Sequence, residues 1–269
     1  MTEQLAKPSA PASPLAARPD DEPLARPDAE FLAEVGLRVR KLRERRGMTR
    51  KALARESDVS ERYLGQLEAG EGNASILLLR RISAALGVST ADLLRPDAQR
   101  KRRIALIGLR GAGKTTLGSR LAKKLNVPCV EASEAIRRQT GLPVSEVISL
   151  YGQSGYRRIE RQVLERMIGD CDRAVLVVGG GIVSEEETFN LLLANCYTVW
   201  LKATPEEHMA RVLAQGDFRP MAGNEEAMED LKRILAAREL LYRKADAVVD
   251  TAGEALEESF RKLVDIVMA

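Results

Sequence analysis

The chain has 269 residues, of which 45% are hydrophobic and 30% are charged, and its formal net charge is +3. This composition is typical of a globular protein long enough for two domains, and no apolar run reaches the roughly eighteen residues of a membrane span. The N-terminus lacks a secretory signal, which predicts a cytoplasmic protein with no membrane partner. The three widely spaced cysteines exclude a disulfide framework and a zinc site, and the single histidine, His208, is predicted to lie at the surface.

The first 103 residues combine a tail with a basic segment. Residues 1–28 are rich in proline and alanine, lack helical or strand periodicity, and are predicted to be a disordered tail. Residues 29–103 carry 17 Lys and Arg against 10 Asp and Glu, whereas residues 104–269 carry 22 against 24. A local cationic excess is what a segment that binds a polyanion needs, although a solvated helical surface has the same composition.

Residues 29–95 are predicted to form a domain of five short helices. Apolar residues at helical spacing from Phe31 define the first helix, which ends at Gly47. Thr49 and Ser60 are predicted to cap the second and third helices, and this pair has the spacing of a helix-turn-helix. Two more apolar helices are predicted, at residues 76–86 and from Ser89 or Thr90 to Leu94.

The segment Leu53-Ala-Arg-Glu-Ser-Asp-Val-Ser-Glu-Arg-Tyr-Leu-Gly-Gln-Leu-Glu-Ala-Gly resembles the DNA-binding domain of Cro and lambda repressor, the XRE family. The resemblance implies that the protein binds double-stranded operator DNA as a homodimer on paired half-sites. A recognition helix beginning at Ser60 would turn its first side chains toward base edges in the major groove. The predicted DNA-binding residues are Glu61, Arg62, Tyr63 and Gln66 at the bases, Arg50, Lys51 and Asn73 at the phosphates, and Ser60 at the start of the recognition helix.

Residues 96–103 are predicted to be a solvated basic linker. The linker ends in four consecutive cations, residues 100–103. Beside a domain that reads DNA, such cations can add salt-dependent phosphate contacts that carry no sequence information.

The run Gly108-Leu-Arg-Gly-Ala-Gly-Lys-Thr-Thr follows the apolar residues 104–107 and matches the P-loop pattern G-x-x-x-x-G-K-T. A strand that ends in a glycine-rich turn, followed by a helix from Lys114, directs several backbone N–H groups at one spot, which binds phosphate. Thr115 is the candidate Mg²⁺ ligand if a nucleotide binds, and no cofactor is otherwise predicted. The predicted phosphate-binding residues are Gly108, Arg110, Gly111, Ala112, Gly113, Lys114, Thr115 and Thr116.

Residues 104–269 are predicted to form an α/β domain with a five-stranded parallel sheet. Apolar runs alternate with helical patterns, which is typical of a parallel sheet that is covered on both faces and binds ligands at the carboxyl ends of its strands. The predicted strands are residues 104–107, 127–130, 174–178, 197–201 and 247–250. The expected fold is therefore an all-α helix-turn-helix domain followed by an α/β P-loop kinase-like domain.

From about Arg103 to the C-terminus, the sequence resembles the shikimate kinases. Besides the P-loop, the resemblance rests on Gly155-Tyr-Arg-Arg-Ile-Glu, the triple glycine at 179–181, Phe218-Arg-Pro and Arg238-Glu-Leu-Leu-Tyr. It implies that Arg157, Gly180 and Arg238 hold the carboxylate and hydroxyls of a substrate. It also implies that Arg219, on a mobile lid, meets the phosphate, since a guanidinium pairs bidentately with such groups. The predicted site thus adds Glu131, Ser133, Arg157, Gly179, Gly180, Gly181, Arg219 and Arg238.

Two departures from the family affect the interpretation of this domain. Where shikimate kinases carry Asp-x-Asp after the second strand, this sequence has Glu131-Ala-Ser133. Glu131 can still help to place Mg²⁺, but Ser133 is not a usable base near neutral pH, and loss of a positioned base costs about 10²- to 10⁴-fold in rate. Thr251-Ala-Gly-Glu stands where the family has an adenine-contacting arginine loop, which argues against ATP as the preferred nucleotide. We therefore assign no catalytic residue and expect a domain that has lost catalysis.

The combination of the two domains resembles the BzdR/BoxR regulators of benzoate catabolism in proteobacteria. This resemblance implies a repressor whose effector is benzoyl-CoA, with the CoA pyrophosphate at the P-loop. Two alternatives stay open: an active shikimate-type kinase fused to a DNA-binding domain, and a regulator that binds ATP without transferring phosphate. Lys114, Thr115 and Arg219 favour the kinase, whereas Ser133 opposes it.

Overall fold

The N-terminal part of the chain is a helical unit. The computed structural model describes residues 26–95, 97–214 and 225–268, and the helical unit comprises residues 26–95. Its helices are α1 Arg26–Arg45, α2 Arg50–Ser57, α3 Glu61–Glu68, α4 Ile76–Ala85 and α5 Thr90–Leu94. All five predicted helices are thus present. Most of the predicted tail lies outside the described residues, but its last three residues, 26–28, belong to α1.

Local capping signals set the starts of α2 and α3. Thr49 Oγ1 accepts a hydrogen bond from the Ala52 backbone N–H at 3.1 Å, and Ser60 Oγ accepts one from the Tyr63 N–H at 3.2 Å. These side chains satisfy amides that the first turn of a helix leaves unpaired. Both predicted caps are confirmed, and α2 and α3 form the predicted helix-turn-helix pair.

An apolar core and one buried ion-pair cluster hold the helical unit together. The fully buried side chains come from all five helices and include Val39, Leu53, Leu64, Ile82 and Leu93. Glu68, also buried, accepts hydrogen bonds from Arg43 Nε at 2.7 Å and from Arg50 Nη2 at 3.1 Å. Removing one partner of a buried pair costs about 3–5 kcal/mol. Glu68 therefore ties α3 to both α1 and α2.

The segment between the two units is packed against the protein. A short helix, α6 Asp97–Arg100, occupies its first half, and the first strand of the sheet begins at Arg103. Arg100 is buried and donates a hydrogen bond to the Cys196 carbonyl at 2.7 Å, and Arg103 Nε donates one to the Cys171 carbonyl at 2.6 Å. The prediction of a solvated linker is therefore wrong for these two arginines, because each satisfies a carbonyl of the following unit.

The rest of the chain is an α/β unit. Its strands are β1 Arg103–Ile107, β2 Cys129–Glu131, β3 Ala174–Val177, β4 Tyr197–Lys202 and β5 Ala247–Asp250. Its helices are α7 Lys114–Leu125, α8 Ala132–Thr140, α9 Val144–Asp170, the 3₁₀ turn Ile182–Ser184, α10 Glu186–Asn195, α11 Pro205–Ala214, α12 Glu225–Tyr242 and α13 Leu256–Met268. Helix α9 is interrupted at Gly152, whose φ is 67°. No helix of the described ranges is long and apolar enough to cross a membrane.

The five strands form the predicted all-parallel sheet, and their order in it is β2-β3-β1-β4-β5. The chain leaves β1 toward β2 and β3 on one side and later returns to β4 and β5 on the other. Strand order therefore reverses at β1, and ligands of such sheets bind outside the carboxyl ends of the strands at this reversal. The P-loop follows β1 directly, so the topology places it at the expected binding edge.

Candidate functional site

The P-loop backbone adopts conformations that only glycine accepts readily. Gly108 has φ 143° and Gly111 has φ 78°, both in the region that L side chains rarely occupy. A Cβ on Gly108 would lie 2.6 Å from the Leu201 carbonyl oxygen, and one on Gly111 would lie 2.6 Å from the His208 carbonyl oxygen. The loop is thus packed closely against β4 and α11, and its shape depends on the absence of side chains at these two positions.

Lys114, the first residue of α7, lies inside the loop. Its Nζ donates hydrogen bonds to the carbonyl oxygens of Gly108 and Leu109, both at 2.9 Å. Burial, together with the nearby positive charge of Arg110, lowers the pKa of Lys114 to about 8. The buried Lys114 ammonium is removed from water, and a bound phosphate would give it a negatively charged partner. The site therefore favours an anionic ligand.

We expect the affinity for a phosphate ligand such as ADP to fall as the pH rises through about 8, the pKa of Lys114. Below that pH the lysine is charged, and above it each further pH unit costs about a factor of ten in affinity. Titration calorimetry between about pH 7 and pH 10 checks this expectation. Lys114→Arg is the control, because arginine stays charged throughout and should flatten the profile. A flat profile for the unaltered chain would contradict it.

Thr115 and Glu131 place oxygen atoms beside the P-loop. The Thr115 hydroxyl donates to Glu131 Oε2 at 3.3 Å, so the start of α7 meets the end of β2. Hydroxyl and carboxylate oxygens suit Mg²⁺, which also takes oxygen ligands from bound phosphates. Elsewhere in the described part of the chain, no cluster of three or more His, Cys, Asp or Glu side chains could hold a metal. Thr115 and Glu131 fit a Mg²⁺ ion that arrives with a nucleotide.

A cavity of about 820 Å³ opens in front of the P-loop. It brings together residues that are far apart in the sequence. Those predicted for the site that line it are Arg110, Gly111, Gly113, Lys114, Thr115, Thr116, Glu131, Ser133, Gly179 and Gly180. Ala112 does not line it, because its side chain is buried in the apolar core. Arg219 lies outside the described residues.

Arg157 lies beside the triple glycine and is held by a buried carboxylate. Its Nη1 donates to Glu160 Oε2 at 2.6 Å, and the Tyr156 hydroxyl donates to Glu160 Oε1 at 2.8 Å. A Cβ on Gly181 would lie 2.4 Å from the Arg157 guanidinium, so the glycine makes room for it. Glu160 is only 2% exposed and offsets the charge of Arg157. The sequence interpretation missed this role of Glu160, although its position one turn after Arg157 on a helix was a signal for it.

Arg238 is placed near the same glycines by Tyr242, one turn further along α12. The Tyr242 hydroxyl donates to the Gly180 carbonyl at 2.6 Å, and the positive charge of Arg238 partly offsets the rise in the pKa of Tyr242 that burial causes. The Tyr242 ring is fully buried and stacks on Trp200, with 5.5 Å between the ring centroids. The end of α12 is therefore fastened to the glycine turn that lines the cavity.

His208 is buried, with 1% of its surface exposed, so the prediction of a surface histidine is wrong. Its Nδ1 lies 2.8 Å from the Arg110 carbonyl oxygen, to which the neutral ring donates a hydrogen bond. Burial lowers the pKa of His208, which favours the neutral form. The cause is tertiary, since α11 packs behind the P-loop and brings the ring to the loop backbone. His208 therefore supports the phosphate-binding loop.

The predicted DNA-contacting residues divide into two groups. Those whose side chains are exposed on α2, α3 and the following loop are Lys51, Glu61, Arg62, Gln66 and Asn73. The other three are used within the helical unit. Ser60 caps α3, Arg50 is bonded to Glu68, and Tyr63 packs against the apolar core with its hydroxyl buried. Tyr63 therefore differs from the expected base contact, because its position in α3 faces the core.

The chain was compared with known proteins. A shikimate kinase model matches residues 110–268, more than half of the chain, and a helix-turn-helix model matches residues 39–93. The chain belongs to the shikimate kinase family. The shikimate kinase of Francisella tularensis subsp. holarctica is 33% identical over 165 residues, which cover 61% of this chain and 93% of that protein.

Solved shikimate kinase structures are also similar to this chain. The enzyme from Acinetobacter baumannii in complex with shikimate is 28% identical, with a TM-score of 0.57, over 62% of this chain and 92% of its own. The enzyme from Bacteroides thetaiotaomicron is 28% identical, with a TM-score of 0.55, over 62% of this chain and 98% of its own. The α/β unit is thus a shikimate-kinase-like domain, and the helical unit is a helix-turn-helix DNA-binding domain.

The two described carboxylates beside Ser133 accept hydrogen bonds from neighbouring side chains. Two carboxylates line the cavity there, those of Glu131 and Glu134. Thr115 donates to Glu131, and Arg137 donates to both oxygens of Glu134, at 3.0 and 3.1 Å. The hydrogen bond from Arg137 lowers the pKa of Glu134, which makes Glu134 a weaker base. Both carboxylates are therefore engaged in hydrogen bonds with neighbouring side chains of the cavity wall.

On the helix-turn-helix domain, Arg62→Ala is expected to weaken operator binding about tenfold, because a side chain that reads a base edge is worth about 1–3 kcal/mol. Effector affinity should not change. Fluorescence anisotropy on a duplex that the protein selects from a random pool measures the effect. Arg40→Ala is the control, since Arg40 is exposed on α1 and pairs with Glu44. Unchanged affinity and an unchanged footprint would show that α3 reads DNA through other residues.

Proposed function

We propose that the protein is a transcriptional repressor of aromatic catabolism whose shikimate-kinase-like domain senses benzoyl-CoA. The helix-turn-helix domain binds operator DNA as a homodimer, and the effector in the cavity weakens this binding. A coupling free energy of about 1–3 kcal/mol, or a factor of about 5 to 150 in DNA affinity, is the ordinary size of such an effect.

The observation that carries the proposal is a phosphate cradle beside which the two described carboxylates accept hydrogen bonds from the protein. Lys114 and the glycine-rich loop can hold phosphates, whereas hydrogen bonds already engage Glu131 and Glu134. Such a site binds a phosphate-bearing ligand but lacks a positioned base for the attacking hydroxyl. The helix-turn-helix domain on the same chain gives ligand binding a consequence other than turnover.

The chemistry of coenzyme A suits both ends of the cavity. Coenzyme A is a 3′-phosphorylated adenosine diphosphate, and its pyrophosphate matches the N–H groups of a P-loop. The cavity wall also includes the apolar side chains of Val144, Ile148 and Val178. An aromatic acyl group gains free energy when it is buried against such a surface. Benzoyl-CoA therefore combines the two kinds of group that the cavity favours.

A thermal-shift comparison of the full chain with benzoyl-CoA, benzoate, shikimate and ATP tests the effector assignment. We expect the largest shift with benzoyl-CoA, since a ligand at 100 times its Kd stabilises the folded state by about 2.7 kcal/mol. Benzoate lacks phosphate and should give little shift. Operator release by benzoyl-CoA, followed by anisotropy, tests the regulatory part. No shift with benzoyl-CoA would reject the effector, and unchanged operator binding would reject the sensor.

A second candidate function is an active small-molecule kinase that also carries a DNA-binding domain. The observation that favours it is the pair of Thr115 and Glu131, which fits a Mg²⁺–nucleotide complex beside Lys114. Ser133 opposes it for the reason given above. Measured turnover distinguishes the two candidates.

A further inference from the structure

A buried carboxylate joins the two domains. Asp246, which directly precedes β5, accepts a hydrogen bond from Arg45 Nη2 of α1 at 2.5 Å and one from Arg100 Nη2 of α6 at 2.8 Å. The Thr198 backbone N–H and hydroxyl donate to the same carboxylate at 2.9 and 2.8 Å. One side chain of the shikimate-kinase-like domain thus holds the DNA-binding domain, the connecting helix and β4.

The Asp246 contact differs in burial from the ion pair of Arg46 with Glu186, which also crosses the boundary. The Asp246 side chain is 8% exposed, whereas Glu186, the partner of Arg46, is 70% exposed. Burial by itself would raise the pKa of Asp246, but the guanidinium groups of Arg45 and Arg100 outweigh it and hold that pKa below its ordinary value. Exposed pairs contribute about 0–1 kcal/mol, and breaking a buried pair costs several-fold more. The Asp246 contact is therefore the stronger of these two ion pairs.

Asp246 is also connected to the cavity by a short, tightly packed path. Only three residues separate it from Tyr242, and the Ala245 N–H donates to the Tyr242 carbonyl at 3.0 Å. The Tyr242 hydroxyl bonds the Gly180 carbonyl at 2.6 Å. A Cβ on Gly180 would lie 2.8 Å from the Gly108 carbonyl oxygen, so the glycine turn and the P-loop are packed without free space. A ligand that moves the glycine turn would thus displace the end of α12 and, through the three residues that follow it, Asp246.

We propose that the interdomain contact of Asp246 with Arg45 and Arg100 is the element that couples occupancy of the cavity to operator binding. The inference rests on the proposed sensing function and adds the contact through which ligand binding would change operator affinity. In the ligand-free protein, the contact holds the DNA-binding domain in one position on the shikimate-kinase-like domain. Displacement of Asp246 by the effector releases or shifts α1, and the recognition helix moves with α1 because Glu68 links α3 to it.

The test is Arg45→Met in the full chain, with operator affinity measured in the presence and absence of saturating benzoyl-CoA. For the unaltered chain we expect the effector to change operator affinity by at least about fivefold. For Arg45→Met we expect this ratio to fall below about twofold, while benzoyl-CoA affinity stays within about threefold of the original. Arg40→Met, on an exposed turn of the same helix, is the matched control and should keep the full ratio.

The outcomes separate this inference from the proposed function. If the unaltered chain shows no effector-dependent change, the sensing function is rejected, and the coupling role falls with it. If the unaltered chain responds and Arg45→Met responds equally, only the coupling role of the contact is rejected. Arg45→Gln removes the guanidinium charge that pairs with Asp246 but keeps a polar side chain, and it supplies the same comparison if the methionine variant unfolds at assay temperature. A full response in the glutamine variant would likewise overturn the inference.

Discussion

Lys114→Ala is expected to abolish the response to the effector and to leave operator binding by the ligand-free protein intact. Lys114 is the only lysine that lines the described cavity, and it is buried where a phosphate charge would be desolvated. A hydrogen bond to a charged group is worth about 1.5–3 kcal/mol, so its loss should weaken ligand binding about 10- to 150-fold. Titration calorimetry measures the ligand affinity, and fluorescence anisotropy with operator DNA measures the operator affinity of the ligand-free protein.

Lys124→Ala is the matched control for this substitution. Lys124 is exposed on the same helix, α7, so its loss removes a positive charge of the domain without touching the loop. Thermal unfolding of both variants checks the fold, because Lys114 also satisfies the carbonyls of Gly108 and Leu109. Loss of operator binding by ligand-free Lys114→Ala would mean that the P-loop is a structural support. Unchanged effector affinity would place the effector elsewhere.

The second large effect concerns turnover. With ATP, Mg²⁺ and shikimate, we expect a rate about 10²- to 10⁴-fold below the roughly 1–100 s⁻¹ typical of kinases, because Ser133 cannot accept the proton of the attacking hydroxyl. An ADP-release assay measures it. Ser133→Asp is expected to recover part of the rate. A carboxylate in the first turn of α8 is tolerated there, since the side chain is exposed and the helix N-terminus favours negative charge.

The control for this gain is Ser145→Asp. Ser145 also lines the cavity and is exposed, so it introduces the same charge at a different point of the wall. If the turnover rate increases with Ser133→Asp and not with Ser145→Asp, the missing base is assigned to position 133. Equal increases in both variants would indicate a general effect of charge. Turnover by the unaltered chain at ordinary kinase rates would contradict the sensor and establish the second candidate function.

Much of the fold follows from short-range patterns. The hydroxyls of Thr49 and Ser60 reach amides three residues away, so their capping role is visible in the sequence. The P-loop is equally local, since the conformations of Gly108, Gly111 and Gly113 arise within one turn between a strand and a helix. Alternation of apolar strands with helices then predicted the parallel sheet, whose five strands are all present.

Other features of the site depend on which surfaces the fold brings together. Tyr63 lies in the predicted recognition helix, but its ring faces the core. The sequence did not show this, because an aromatic residue at this spacing can either contact a base or pack in the core. Ser133 could be recognised as a missing base from its position after β2. That Arg137 pairs with both oxygens of Glu134 required the side-chain geometry.

The sequence by itself determined the two domains, the phosphate-binding loop and the absence of the usual acid at position 133, because each is encoded in neighbouring residues. The tertiary structure alone decided the roles of His208, Arg100 and Asp246. Arg45 and Asp246 are 201 residues apart, and no periodicity links positions so distant. From the sequence alone, a charged side chain is expected to lie in water, because most charged residues are exposed. Only the packed domains show which charged groups are buried and which carboxylate pairs with which arginine.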